Sequence, residues 1–164
     1  PLDEATTLGP VIDRKNTDRL MGWVQEAINS GAKLVTGHRV AEVGGGNSMV
    51  ATILEEVPGE AKVNAEEAFG PVVTITPVDS MEEAFALAND SCFGLQCVIC
   101  ANDFDTVTQA FNALEGGGVI HNDVPSFRVD SMPYGGVKDS GLGREGVKYA
   151  MEDMLEPRVL VYKT

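Results

Sequence analysis

Glu66-Glu67-Ala68-Phe69-Gly70-Pro71-Val72-Val73-Thr74-Ile75-Thr76 sets carboxylates, an aromatic ring and a rigid Gly-Pro turn directly before a β-branched run. Val72 to Thr76 has the composition of a buried strand, and Gly70-Pro71 fixes how the backbone enters it. Ser80-Met81-Glu82-Glu83 follows as a capping box ahead of the apolar positions Ala84, Phe85, Leu87 and Ala88, so a helix succeeds the strand. Gln96 to Ala101 is the next strand. Beyond it, Asp103 or Asp105 can cap a helix carrying Val107, Ala110, Phe111 and Leu114, the run Glu115-Gly116-Gly117-Gly118 stops that helix, and Val119-Ile120 opens another strand. Toward the N-terminus, Asn16 or Thr17 can cap a helix with Leu20, Val24, Ala27 and Ile28 on one face and Gly31 at its end. Leu34-Val35-Thr36 and Met49 to Leu54 are short strand candidates, and Pro58-Gly59 turns the chain. Strands alternating with helices of this size form βαβ units, so the predicted class is α/β: a mostly parallel sheet flanked by helices in three αβα layers.

Three stretches stand apart from that alternation. Residues 37–48 hold Gly37 and Gly44-Gly45-Gly46 with no Lys-Ser/Thr after them, which lacks the requirements of a phosphate-binding loop and reads as a surface excursion. Asn122 to Gly143, rich in proline and glycine, is expected to be a loop without a packed element, and loops of that length in compact domains generally carry function. Arg144 to Met154 is helical again. Val159-Leu160-Val161-Tyr162 follows Pro157 and is expected to be an edge strand in need of a partner.

With 164 residues and 43% apolar content the chain suits one domain with a real core. The balance of 25 acidic against 12 basic residues, formally −13, excludes nucleic acid and anionic membrane as expected partners, because phosphate would repel it. No run is long and apolar enough to span a membrane, and no charged-then-apolar leader opens the chain, so the expected location is cytoplasmic. Cys92, Cys97 and Cys100 are an odd number of thiols, expected to be reduced. The CxxC spacing of the last two falls on a strand, where residues three apart face opposite ways, and all three are expected to pack in the core. His121 on the Val119 strand is expected to be a satisfied histidine, and no His and carboxylate cluster has ligand spacing, so no metal site is expected.

Glu67 can accept hydrogen bonds from two neighbouring sugar hydroxyls, and Phe69 offers a flat apolar face to a ring. On these residues alone the alternative is an acidic turn followed by a core phenylalanine.

Three motifs taken in order decide between these readings. Glu-x-Phe-Gly-Pro-Val at Glu67–Val72, Asn89-Asp90-Ser91-Cys92-Phe93-Gly94-Leu95, and Pro133-Tyr134-Gly135-Gly136-Val137-Lys138-Asp139-Ser140-Gly141-Leu142-Gly143-Arg144-Glu145 together resemble the C-terminal part of the NAD(P)-dependent aldehyde dehydrogenase superfamily. The likeness extends through Gly9-Pro10-Val11-Ile12-Asp13 and covers essentially the whole chain. It implies that the chain, which opens at Pro1 inside a family segment, is a piece of a longer polypeptide. Residues 1–155 would then be the C-terminal part of the catalytic domain and 156–164 an oligomerisation strand in which Val159, Leu160, Val161 and Tyr162 pair with another subunit.

In this family a cysteine thiolate attacks the aldehyde, hydride passes to nicotinamide, and water hydrolyses the resulting thioester. The resemblance implies that Glu67 holds the nicotinamide ribose and Phe69 packs against the nicotinamide of NAD or NADP, both positioning roles. The nucleophile and the dinucleotide fold would lie upstream, so no catalytic residue is expected here and the chain alone should be inactive. The loop from Asn122 corresponds to the aldehyde entrance. Tyr134 would be a pocket wall, with a simple loop anchor as the alternative; Gly135 and Gly136 would admit close backbone approach; and Arg128 would hold an anionic tail, with a solvated surface arginine as the alternative. The candidate aldehydes are of lactaldehyde, semialdehyde, glyceraldehyde-3-phosphate or phosphonoacetaldehyde type. Ala51 stands where many members have Pro and Tyr134 where many have Phe, which bears on substrate class. The competing expectation is a free-standing, non-catalytic assembly module of the same fold.

Overall fold

A computed structural model of the chain describes residues 3–41 and 48–164, so the run Gly44-Gly45-Gly46 lies outside the described residues. The fold divides after Val78 into two units.

In the first unit, helix α1 (Arg14–Asn29) buries Thr17, Leu20, Val24 and Ala27, the stripe that its 3.6-residue period aligns. Its cap is Asp13 and not the expected Asn16 or Thr17: Asp13 is extended (φ −155°) and its carboxylate accepts from the Asn16 amide at 2.7 Å. Thr17 is already one turn inside, fully buried, and donates its hydroxyl to the Asp13 carbonyl. At the other end Gly31 takes φ 109°, and the Gly31 and Ala32 amides donate back to Ile28 and Ala27, closing a Schellman motif.

Strand β1 (Lys33–Thr36) runs antiparallel to β2 (Thr52–Glu55), and β2 pairs parallel with β3 (Val72–Ile75) in the register Thr52 to Val72 through Glu55 to Ile75. The second strand starts three residues later than expected, Met49 making only an isolated bridge to Val40. Between β2 and β3 stands a one-turn helix, α2 (Lys62–Ala65), too short to leave a period in the sequence. The core joins Leu20, Val24 and Ala27 to Ala32, Met49, Leu54 and Val57. Each fully buried Leu or Val stabilises the unit by about 1.5–3 kcal/mol. β3 is half exposed, against the expectation of a buried strand: Val72 packs on the core, which turns Val73 and Ile75 to the opposite face.

The second unit opens with helix α3 (Met81–Asn89). The predicted capping box is present, Ser80 Oγ accepting from the Glu83 amide at 3.1 Å, while the Glu83 carboxylate reaches back to the Asp79 amide at 3.0 Å. Strand β4 (Phe93–Gly94) precedes β5 (Gln96–Ile99), helix α4 (Phe104–Ala113) and β6 (Gly118–His121), and β5 and β6 pair in parallel around that crossover. Asp103, accepting from the Thr106 amide at 2.8 Å, caps α4. Each unit therefore contains one parallel βαβ crossover, and the α/β class holds with mixed sheets.

Inside the segment expected to be only loop, β7 (Val137–Lys138) pairs antiparallel with β4. Its pairing is driven from outside: Lys138 Nζ donates to the Asn89 and Ser91 carbonyls and pairs with Glu115, and the Gly94 amide donates to Ser140 Oγ. Helix α5 (Val147–Asp153) begins three residues after its expected start, behind Gly146 at φ 107°. Residues 159–162 form no strand and are between 83% and 90% exposed. None of the three cysteines is fully buried: Cys92 and Cys100, beyond the ends of their strands, are exposed, and Cys97 is half-buried.

Candidate functional site

The turn 66–71 leaves the one-turn helix α2 and enters β3. Glu67 is exposed, and its carboxylate has no hydrogen-bond or ion-pair partner among the described residues. Phe69 is 71% exposed. Its φ of 52° lies in the left-handed region, unusual for a bulky residue. A cleft of about 660 Å³ runs beside the ring, lined by Leu8, Pro10, Val11, Ile12, Asn16 and Phe69 among others.

The backbone of this turn is gripped by α1. Asn16 Nδ2 donates to the Phe69 carbonyl at 2.9 Å, and Arg19 donates to the neighbouring Ala68 carbonyl. The Pro71 carbonyl accepts from the Thr52 amide at 2.9 Å, which ties the exit of the turn to β2. A Cβ at position 70 would lie 2.2 Å from Leu20 Cδ1, so any larger residue there must displace the buried Leu20 side chain. The sequence reading missed Asn16 and Arg19 as site residues. Their only local signal is the i, i+3 spacing with Trp23 one turn further, a polar edge beside the apolar stripe of α1.

The second candidate cluster lies in the second unit. Arg128 places its guanidinium 4.9 Å from the Tyr134 ring centroid and pairs with the Glu145 carboxylate at 3.2 Å. Its side chain is 44% exposed, so the ion pair leaves donors facing water. Tyr134 is half-buried and exchanges backbone hydrogen bonds with Glu145 at 3.2 and 2.6 Å, so it anchors the loop whatever its ring contacts. Gly135 and Gly136 follow in a tight passage: an added Cβ would meet the Gly143 carbonyl at 2.8 Å and Ser140 Cβ at 2.4 Å. Arg144 Nη1 locks that passage by donating to the Gly136 and Gly143 carbonyls at 3.0 and 2.7 Å. Tyr134, the two glycines, Glu145 and Leu142 line a cavity of about 540 Å³.

The remaining chemistry-bearing residues serve the scaffold. His121 Nε2 lies 2.8 Å from the Ala101 carbonyl, which agrees with a satisfied histidine. Burial pushes the Cys97 thiol up from its ordinary value, with Lys138 opposing, which disfavours the thiolate. Among the described residues no group of three or more His, Cys, Asp or Glu could hold a metal ion, and no helix is long and apolar enough to cross a membrane.

The model of the aldehyde dehydrogenase family matches residues 1–160. The chain is 44% identical to a 3-sulfolactaldehyde dehydrogenase of Priestia megaterium, over 98% of this chain and 33% of that protein. It is 38% identical to a lactaldehyde dehydrogenase of Methanococcus maripaludis, over 98% of this chain and 34% of the relative. Among solved structures, aldehyde dehydrogenase 21 from Physcomitrella patens, in complex with the reaction product succinate, superposes with a TM-score of 0.91 at 46% identity, over 98% of this chain and 33% of that one. A glyceraldehyde-3-phosphate dehydrogenase from Methanocaldococcus jannaschii, complexed with NADP, gives 0.85 at 42% identity over 94% of this chain and 32% of its own. The chain spans about a third of the length of the curated relatives it matches.

Proposed function

The chain belongs to the aldehyde dehydrogenase family, and from that premise we propose that residues 1–155 are the C-terminal part of the catalytic domain of a cytoplasmic, NAD(P)-dependent enzyme that oxidises an aldehyde with an anionic tail to the carboxylic acid. Residues 156–164 are then the strand through which Val159, Leu160, Val161 and Tyr162 join a homo-oligomer. Their exposed apolar side chains and unpaired backbone support that role. The chain supplies positioning groups and no nucleophile in the family's sense, so by itself it is inactive.

A nicotinamide dinucleotide, when bound, supplies the acceptor for the hydride that leaves the aldehyde carbon. The turn 66–71 fits such a group: the unpartnered Glu67 carboxylate can take hydrogen bonds from two vicinal hydroxyls, and the exposed Phe69 face can lie against a flat ring. These two residues orient and do not react. A rigid backbone beneath them serves a near-attack geometry. The NADP complex of the M. jannaschii relative and the NAD+ complex of a Bacillus cereus relative support either cofactor.

Arg128 carries the reading of substrate class. It stacks on Tyr134 and pairs with Glu145, two residues that line the cavity walled by Gly135 and Gly136, and its 44% exposure leaves donors beyond that pairing. A planar guanidinium suits sulfonate, carboxylate and phosphate alike. The names of three relatives support such a tail, one being for sulfolactaldehyde, one bound to succinate and one for glyceraldehyde 3-phosphate. Lactaldehyde, grouped with them on sequence grounds, carries no anion and serves as the uncharged comparison. In the full-length enzyme Arg128→Gln should raise KM for succinate semialdehyde and for a sulfonated aldehyde by about tenfold, the low end for a lost charge-assisted hydrogen bond at a partly exposed site. KM for lactaldehyde should move by less than about twofold. Equal changes for charged and uncharged aldehydes would remove the anionic tail from the account.

A further inference from the structure

We propose that Asn16 and Arg19 of α1 are positioning residues for the Glu67–Phe69 edge, setting its orientation toward the dinucleotide without contacting it; this rests on the cofactor role proposed for that edge. The two side chains form one unit. Arg19 donates through Nε and Nη2 to Asn16 Oδ1 at 3.0 and 2.6 Å, which turns the Asn16 amide nitrogen toward the Phe69 carbonyl, 2.9 Å away. The same Arg19 Nη2 donates to the Ala68 carbonyl. Its guanidinium carbon lies 4.1 Å from the Trp23 ring centroid, so the fork is held flat on its own helix before it meets the turn.

Consecutive carbonyls, those of Ala68 and Phe69, are thus held by side chains 49 and 53 residues earlier in the chain. Phe69 between them sits at φ 52°, a conformation that a bulky residue keeps only where its surroundings over-determine it. A Cβ at position 70 would come within 2.2 Å of Leu20 Cδ1, and Leu20 is fully buried on the same helix, so the turn runs close against α1. Released from the clamp, Phe69 would relax to negative φ and swing both its ring and the Glu67 carboxylate. Lysine cannot replace arginine here, because one ammonium cannot reproduce the forked donors that bind Asn16 and Ala68 together.

The test compares Asn16→Asp, Arg19→Gln, Arg19→Lys and Glu67→Gln in the full-length enzyme. Asn16→Asp keeps the Arg19 pairing while removing the donor to Phe69. Hydrogen exchange by mass spectrometry reports on peptides spanning 66–72, and fluorescence titration reports NADH and NADPH binding without turnover. The proposal expects exchange of 66–72 to rise about tenfold in Asn16→Asp and Arg19→Gln, with α1 peptides unchanged and the dissociation constant for reduced cofactor up about tenfold. Arg19→Lys should recover only part of the loss. Weakened cofactor binding in Glu67→Gln beside unchanged binding and exchange in the clamp variants would overturn the proposal alone. Unchanged cofactor binding in Glu67→Gln and the clamp variants together, with an unchanged burst of reduced nicotinamide in Glu67→Gln, would overturn the cofactor role of the edge, and the proposal with it.

Discussion

Gly117→Ala should unfold the second unit more readily than any comparable methyl addition, because it drives one backbone segment into another. A Cβ on Gly117 would lie 1.8 Å from the Gly135 carbonyl oxygen, 2.9 Å from its carbon and 3.0 Å from the Leu95 carbonyl oxygen, where real Cβ atoms essentially never come under 3.0 Å. Relief therefore needs a shift of at least 1.2 Å, the difference between 3.0 and 1.8. Neither side can give cheaply. The Gly117 and Gly118 amides are bonded to the Gly94 and Leu95 carbonyls at 3.0 and 3.2 Å, and the Gly135–Gly136 passage is locked by Arg144. Overpacking ordinarily costs about 1–3 kcal/mol, and a clash between two backbones belongs at the upper end, about 3 kcal/mol. At roughly 2–4 °C per kcal/mol for a chain of this size, the melting temperature should fall by about 6–12 °C. Thermal unfolding followed by circular dichroism measures it, with Gly59→Ala, which has nothing within 4 Å, as the control expected to stay within about 0.5 kcal/mol. A Gly117→Ala melt that coincides with the Gly59→Ala melt would refute the packing argument.

Thiol accessibility predicts two fast and one slow reaction with a disulfide reagent at pH 8: exposed Cys92 and Cys100 first, then Cys97, whose thiol burial holds up from its ordinary value; mass mapping identifies each, and a fast Cys97 would contradict its placement. The Asp103 carboxyl is held below its ordinary value of 3.8 chiefly by its hydrogen bond from the Thr106 backbone amide. The stability it lends α4 is therefore present above that value and lost as pH falls through the lower, folded one. Asp103→Asn, which caps without titrating, should flatten the acid arm of a urea-stability profile measured from pH 6 to 3. Deleting residues 156–164 from the full-length enzyme should shift it to smaller assemblies by light scattering; an unchanged oligomer with unchanged melting would remove the assembly role of the tail.

What could be read in the sequence was what local chemistry decides. Ser80 and Glu83 announce their helix because both halves of a capping box lie within four residues, and Gly31 announces the end of α1 because a left-handed residue is needed there. Asp13 caps α1 in place of the expected Asn16 or Thr17 because Asp13, Asn16, Thr17 and Asp18 all crowd its start, and only tertiary contacts show that Asn16 is committed to Phe69. β7 was illegible for the same reason: Val137 and Lys138 become a strand through Phe93, Gly94 and the carbonyls of Asn89 and Ser91, more than forty residues away in sequence. Thiol hydrophobicity said nothing of which strand ends lie open, so Cys92 and Cys100 were misplaced. At the candidate site, Glu67 and Phe69 were named by motif, whereas the Asn16–Arg19 clamp beneath them needed the placement of α1 against a turn some fifty residues on.

Single-turnover kinetics of Glu67→Gln in the full-length enzyme tests the account most directly. A weaker hydrogen-bond acceptor at position 67 should slow the burst of reduced nicotinamide by about tenfold or more while leaving the rate of thiol capture of the aldehyde within about twofold, since the group orients the hydride acceptor and does not touch the nucleophile. A burst of unchanged rate with unchanged cofactor affinity would contradict the assignment of this turn as the cofactor-facing edge.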